Sequence, residues 1–343
     1  MEAQRISTLD MSKDQWLEHR YNGIGGSEVS SVLGLNPYKS SAELWWEKVL
    51  RVNRTEENQA MHWGKALEDV IADRWQYWDG DAEQMIKNFN DANVKRRCRR
   101  INAILTNPNC PWLFANVDRT ICMDLVTLAR PGILEIKTVS GWAADQWKDG
   151  IPPYYLIQLQ TYLLVTGYNY GEIVILRDGR YMEVIPFSRE EQIIDKIIQK
   201  TKVFWETVQT ARELLSPYNW TGEIQENIFK SIQDLDEDVK QKLSELEPAP
   251  DDSVAYENYL KERYRIVQSE IQGSPELRER AIAYQSYNES IKHYEGLKRG
   301  CANILKAYMK ESDVMNFEDG KVTHREDSRG ARRLTVKMKG GKE

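Results

Sequence analysis

A chain of 343 residues that is 41% hydrophobic carries enough apolar side chains to bury a core, as one large domain or as two smaller ones. No run of about 18 apolar residues is present and Met1 to Asp10 lack the charged-then-apolar order of a secretory signal, so a soluble, cytoplasmic protein is expected. A net charge of −6 argues against a generally basic nucleic-acid coat, whereas a locally positive groove would be enough to grip a duplex.

Ser12 followed by Gln15 forms a capping-box pattern that opens a short helix through Trp16, Leu17 and Arg20. Gly25 and Gly26 then break the chain; Ser27 is predicted to cap a helix over Glu28 to Leu33, and Ser40 or Ser41 a third carrying Leu44, Trp45 and Val49. Leu67, Val70, Ile71 and Trp75 recur at helical spacing, which predicts an amphipathic helix from Trp63 to Trp78. From Leu113 to Ile121 apolar and polar residues alternate, the pattern of one half-buried strand, and a second strand is expected from Ile133 to Val139. A helix over Tyr154 to Val165 follows, and Ile173–Leu176 and Tyr181–Ile185 flank Asp178-Gly179, a hairpin signal. Ser188 is predicted to begin a long helix reaching Leu215.

Beyond that point the composition shifts. Asp234 to Asp252 is acidic, contains Pro248 and Pro250, and reads as a linker or a loosely attached helical piece. Val254 to Lys310 reads as a helical hairpin broken near Gly273 to Pro275, and the stretch from Gly320 as a strand or hairpin with a basic tail. The expected organisation is a core of mixed helices and strands over 1–215, an acidic linker or helical segment over 216–253, and a helical extension with a basic tail over 254–343. Two basic clusters, Lys95 to Arg100 and Arg325, Arg329, Arg332, Arg333, Lys337 and Lys339, fit either phosphate contact or a solvated face. Cys98, Cys110, Cys122 and Cys301 form no CxxC pair and read as reduced thiols. The histidines His19, His62, His293 and His324 lack zinc spacing, and no Walker loop or GxGxxG predicts a nucleotide cofactor.

The chemistry is concentrated in Asp118 and the run Gly132-Ile133-Leu134-Glu135-Ile136-Lys137. Side chains at i and i+2 of a strand share a face, so Glu135 and Lys137 project together while Leu134 and Ile136 point the other way. Burying an acid and a lysine side by side on an apolar strand calls for a reason, and a divalent cation that takes carboxylate and carbonyl oxygens is one. The Asp-(x)n-Glu-x-Lys pattern on adjacent strands is the signature of the PD-(D/E)xK nuclease superfamily.

The flanking motifs carry a more specific resemblance. Arg20, Ile24-Gly25-Gly26-Ser27-Glu28 and Leu33-Gly34-Leu35-Asn36-Pro37-Tyr38 resemble the opening of the YqaJ-like viral recombinases, relatives of lambda exonuclease. Trp63-Gly64-Lys65-Ala66-Leu67-Glu68 is similar to the Gly-x-x-Leu-Glu helix of that family, and Pro153-Tyr154-Tyr155-Leu156-Ile157-Gln158-Leu159-Gln160 to its helix after the metal strand. The resemblance covers residues 15 to 185. Family members commonly have glycine after the first metal-strand aspartate, whereas Arg119 follows Asp118 here, and the loop from Met123 to Pro131 matches nothing in that pattern.

The resemblance implies an α/β fold, a restriction-endonuclease-like core with a mixed central sheet flanked by helices, and Mg²⁺-dependent hydrolysis of linear double-stranded DNA, with Mn²⁺ as a possible substitute. It implies that Glu68, Asp118, Glu135 and the Ile136 carbonyl hold the metal, that Lys137 orients or deprotonates the attacking water, and that Gln158 helps position it. Arg20, Ser27 and Asn116 would receive a 5′-phosphate at the glycine turn, where backbone N–H groups at a helix start favour an anion. Cleavage would then run 5′ to 3′ and leave a 3′ single strand for phage-type recombination. A ring-shaped homo-oligomer, often a trimer, a single-strand annealing partner and a phage or prophage origin come with the resemblance alone. The alternatives are another nuclease on the same core, an endonuclease or a Cas4-like enzyme, and a DNA-end-binding protein without catalysis.

Overall fold

The computed structural model describes residues 3–52, 58–122, 131–141, 146–147, 150–218, 235–264, 270–326 and 331–339. Most of the expected loop over 123–131 lies outside the described residues, as do Trp142, Asp234 and Arg329. The chain divides into two compact units, Met1–Ile266 and Val267–Glu343.

In the first unit, β1 (Gln4–Ser7) precedes α1 (Lys13–Tyr21), whose start carries the expected capping box: the Gln15 N–H donates to Ser12 Oγ and the Ser12 N–H to Gln15 Oε1. The two-residue strand β2 (Ile24–Gly25) runs into a 3₁₀ turn, Gly26–Glu28, and the short α2 (Val29–Val32). Ser27 lies inside that turn and caps nothing. Instead the Glu28 carboxylate reaches back to accept from the Gly25 N–H at 2.7 Å, because the tight turn folds position i+3 over the glycine. Then come α3 (Ser41–Leu50), capped by Ser40, and α4 (Gln59–Trp75), capped by Asn58 and longer at its start than its apolar spacing predicts. Next are α5 (Ala82–Asn90), β3 (Cys98–Arg99), β4 (Ala103–Asn107), β5 (Cys110–Ala115), β6 (Arg119–Ile121) and β7 (Gly132–Val139). The helix α6 (Pro153–Thr166), strands β8 (Tyr170–Arg177) and β9 (Tyr181–Ser188), α7 (Glu191–Leu215), α8 (Glu237–Leu246) and α9 (Val254–Arg263) complete the unit. Ser188 ends β9 rather than starting a helix; α7 begins three residues later at Glu191.

The strands form two sheets, ordered β1-β4-β5-β2 and β3-β6-β7-β8-β9. The second is mixed: β6 and β9 run antiparallel to their neighbours, while β7 and β8 are parallel and joined through α6. The stretch 113–121 is therefore two strands, β5 in one sheet and β6 in the other. Residues 116–118 carry the chain across. Alternation continues through that break, which is why the pattern alone reads as one strand. The helix α6 is buried from Ile157 to Thr166 without a wet side because it packs on β4 and β5 of one sheet and on β7 and β8 of the other. The opposite face of the mixed sheet packs on α4, through Ile71, Ala72 and Trp75 against Leu134, Ile136 and Val174. Leu243, Tyr256 and Tyr259 join the core of this unit, so α8 and α9 are packed elements of it.

Asp178 and Gly179, both with positive φ, make the β8–β9 turn that the sequence predicts. The second unit holds the 35-residue α10 (Pro275–Met309), capped by Ser274, and a three-stranded meander, β10 (Val314–Phe317), β11 (Gly320–Glu326) and β12 (Arg332–Met338), with Val322 buried.

Gly171 on β8 lies directly opposite Phe187 of β9, and a Cβ there would overlap the phenyl ring. Gly171→Ala is expected to destabilise the chain by about 1–3 kcal/mol in urea titrations, and adding Phe187→Leu to recover part of that loss. An alanine variant as stable as the parent would contradict this packing.

Candidate active site

Where the chain crosses between the sheets, Asp118 meets β7. The Ile136 N–H donates to Asp118 Oδ2 at 2.8 Å, which pins the aspartate beside the strand that carries Glu135 and Lys137. Glu135 is 1% exposed, on the α6 side of the sheet as its register requires. Its Oε1 accepts from Lys137 Nζ at 2.6 Å and from Gln158 Nε2 at 2.8 Å, and Gln158 Nε2 also reaches the Tyr162 hydroxyl at 2.9 Å. The other carboxylate oxygen, Oε2, is buried with no hydrogen-bond partner. Lys137 lies over the Tyr155 ring, 5.0 Å from its centroid.

The electrostatics follow from burying two acids together. Burial and then the Glu135 charge push the Asp118 carboxyl up to about 8, against the pull of Lys137. Burial opposes the ammonium form of Lys137, but Glu135 and then Asp118 outweigh it and hold the amine above its ordinary range. Burial, Glu135 and Asp118 likewise raise Tyr162, which stays a neutral phenol. A pair of close carboxylates, one with an orphaned oxygen, is short of positive charge. Carboxylate oxygens of this kind, one of them without a donor, match in their chemistry what a hard divalent cation takes.

Glu68 is placed differently. It sits on α4, across the sheet from α6, and its Oε1 accepts from Arg119 and from Arg100, the latter at 3.1 Å. Arg119 is 4% exposed; its guanidinium also bonds Asp69 and donates to the Asp118 carbonyl at 2.6 Å. Glu68 is still near enough for its charge to raise Asp118. Among the described residues no three His, Cys, Asp or Glu side chains are grouped to hold a metal. The structure thus brings Asp118, Glu135, Lys137 and Gln158 together and leaves Glu68 at the edge, in an arginine cage. Arg119, conspicuous in the sequence as a departure after Asp118, is what builds that cage.

The glycine turn stands against the same centre. A Cβ on Gly26 would overlap the Tyr162 ring, so glycine is what lets the turn approach α6. Arg20 is held by Glu28, which also accepts from Lys48 Nζ at 2.7 Å, and Lys48 donates to the Arg20 carbonyl at 2.7 Å. Burial works against ionising Glu28, but the Lys48 and Arg20 charges outweigh it and hold its carboxyl down at about 2. Ser27 is exposed and Asn116 half-buried in the crossing beside Asp118. The half-buried Glu28–Lys48 pair has no signature along the chain beyond the place of Glu28 three residues after Gly25, which is a capping position.

Residues 15–169 match the family model of the YqaJ-like viral recombinase domain. The YqaJ protein of Bacillus subtilis (strain 168) is 29% identical over 310 residues, spanning 89% of this chain and 80% of its own. A protein of African swine fever virus is 38% identical over 162 residues, 45% of either chain. Among solved structures, an alkaline exonuclease from Laribacter hongkongensis is 20% identical, with a TM-score of 0.47 over 60% of this chain and 97% of that one. The Asp118 crossing and the Glu135-x-Lys137 strand both lie within residues 15–169, the part of this chain that is similar to the YqaJ-like viral recombinase domain.

Proposed function

We propose that the chain is a divalent-metal-dependent 5′-to-3′ exonuclease that degrades one strand of linear double-stranded DNA and leaves 3′ single strands for recombination. The observation that supports this most directly is Glu135, buried between Lys137 and Gln158 with one oxygen unpartnered, beside Asp118. Asp118, Glu135 and the Ile136 carbonyl would hold Mg²⁺, or Mn²⁺ in its place, with Glu68 as a further carboxylate. Bound there, the cation would polarise the scissile phosphate and acidify water.

The side chains of this protein do the rest. Gln158 fixes the Glu135 carboxylate, so the acid need not reorganise when phosphate arrives. Lys137, kept as an ammonium, has N–H donors beyond the one on Glu135, and these face the approaching phosphate or the attacking water. Tyr155 covers the lysine and limits its motion. Arg20, Ser27 and Asn116 form the candidate subsite for a 5′-phosphate, and a terminal phosphate seated there sets the polarity. A ring-shaped oligomer and an annealing partner extend the same reading.

A duplex with one 5′-phosphorylated and one 5′-hydroxyl end tests activity, polarity and pocket together. Shortening from the phosphorylated 5′ end in Mg²⁺, and none in EDTA, is the expected result; intact ends in both Mg²⁺ and Mn²⁺ would overturn the proposal, and loss from the 3′ end its polarity. Glu135→Gln and Lys137→Met are each expected to lower kcat by roughly 10²–10⁴-fold with little change in melting temperature. Activity within a few-fold of the parent in either variant would remove that residue from the chemistry.

A further inference from the structure

The basic run at 95–100 divides once the chain folds. Arg96 is committed to Glu172 at 2.7 Å and lies over Trp75, Lys95 to Asp79 at 3.5 Å, and Arg100 to Glu68 and Asp69 at 3.1 Å. Arg99 is exposed and has no acidic partner among the described residues, and the same holds for Arg5 on β1. These two arginines and Arg100 line one groove of about 350 Å³, together with Ser7, Ile101 and Asn102. Residues 100–102 link β3 of the mixed sheet to β4 of the other sheet, so the groove lies along the same inter-sheet junction that Asp118 occupies. Arg100 reaches from it to Glu68.

Arg100 is paired with Glu68 and Asp69, but Arg5 and Arg99 stand in the same groove without acidic partners among the described residues, an arrangement of like charges that an anionic ligand would complete. Guanidinium forks match phosphate oxygens, and the neutral side chains of Ser7 and Asn102 add donors of the kind that position a sugar–phosphate backbone without reading bases. We propose that this groove binds the phosphodiester backbone of DNA, independent of sequence, and tracks the substrate beside the Asp118–Glu135 centre. The inference rests on the nuclease reading and adds to it a binding surface.

The test is binding of the full chain to a labelled 20-base-pair duplex in EDTA, where nothing is cut, followed by fluorescence anisotropy between 50 and 200 mM salt. Arg5→Gln with Arg99→Gln removes both unpaired charges at exposed positions, and a thermal melt checks that the fold is retained. Without these two cations on the phosphates, the slope of log affinity against log salt is expected to fall by about 2, and affinity near 100 mM salt to weaken by roughly tenfold or more, equally for duplexes of unrelated sequence. Parent and double variant binding with the same affinity and slope would overturn the groove while leaving the nuclease reading standing. A parent chain that binds no duplex at all would overturn both.

Discussion

A carboxylate buried on an apolar strand is the constraint around which this site is arranged. Removing such a charge from water costs several kcal/mol unless its oxygens find donors. Glu135 meets that requirement halfway, with Lys137 two residues along its own strand and Gln158 from α6 sharing one oxygen. The second oxygen has no donor, and the neighbouring Asp118 carboxyl is pushed up to about 8 by burial and by the Glu135 charge. Much of the first unit serves to hold that unfavourable group in place: α6 wedged between two sheets, Tyr162 behind Gln158, and a glycine turn close enough to touch the Tyr162 ring.

A second set of charges balances the first. Arg119 is buried beside Asp118 and clasps Glu68 and Asp69 of α4 and the Asp118 carbonyl. It ties the helix on one face of the mixed sheet to the crossing between sheets, and so fixes how far Glu68 stands from Glu135. Glu28 has the corresponding position at the glycine turn, where Lys48 and Arg20 hold it ionised. Both arginines that flank the centre are thereby oriented by acids before any substrate arrives, which limits the reorganisation needed when phosphate enters.

Much of this is legible along the chain. The alternation around Glu135 and Lys137, the capping box at Ser12, the Asp178-Gly179 turn and the apolar helix carrying Gln158 depend on neighbours within a few residues, and each forms as its local pattern requires. The departures are of another kind. Ser27 has the residue type of a helix cap, but a 3₁₀ turn brings Glu28 to the amide instead. Residues 113–121 have the pattern of one strand because alternation is blind to a change of sheet. The acidic segment after α7 reads as a linker or a loosely attached helical piece; it holds the helix α8, which is packed rather than loose, with Leu243 in the core.

By itself, then, the sequence determined which residues could share a strand face or a helix face, because periodicity and turn chemistry are short-range, and its motifs carried the resemblance to the YqaJ-like viral recombinases. Only the tertiary structure decided that Gln158 meets Glu135, that Glu68 is caged by Arg119 and Arg100, and that Arg5 and Arg99 stand without acids among the described residues while Arg96 is consumed by Glu172. Those outcomes turn on charges brought together across tens of residues by two sheets and the helix between them, and no spacing along the chain encodes which partner each one finds.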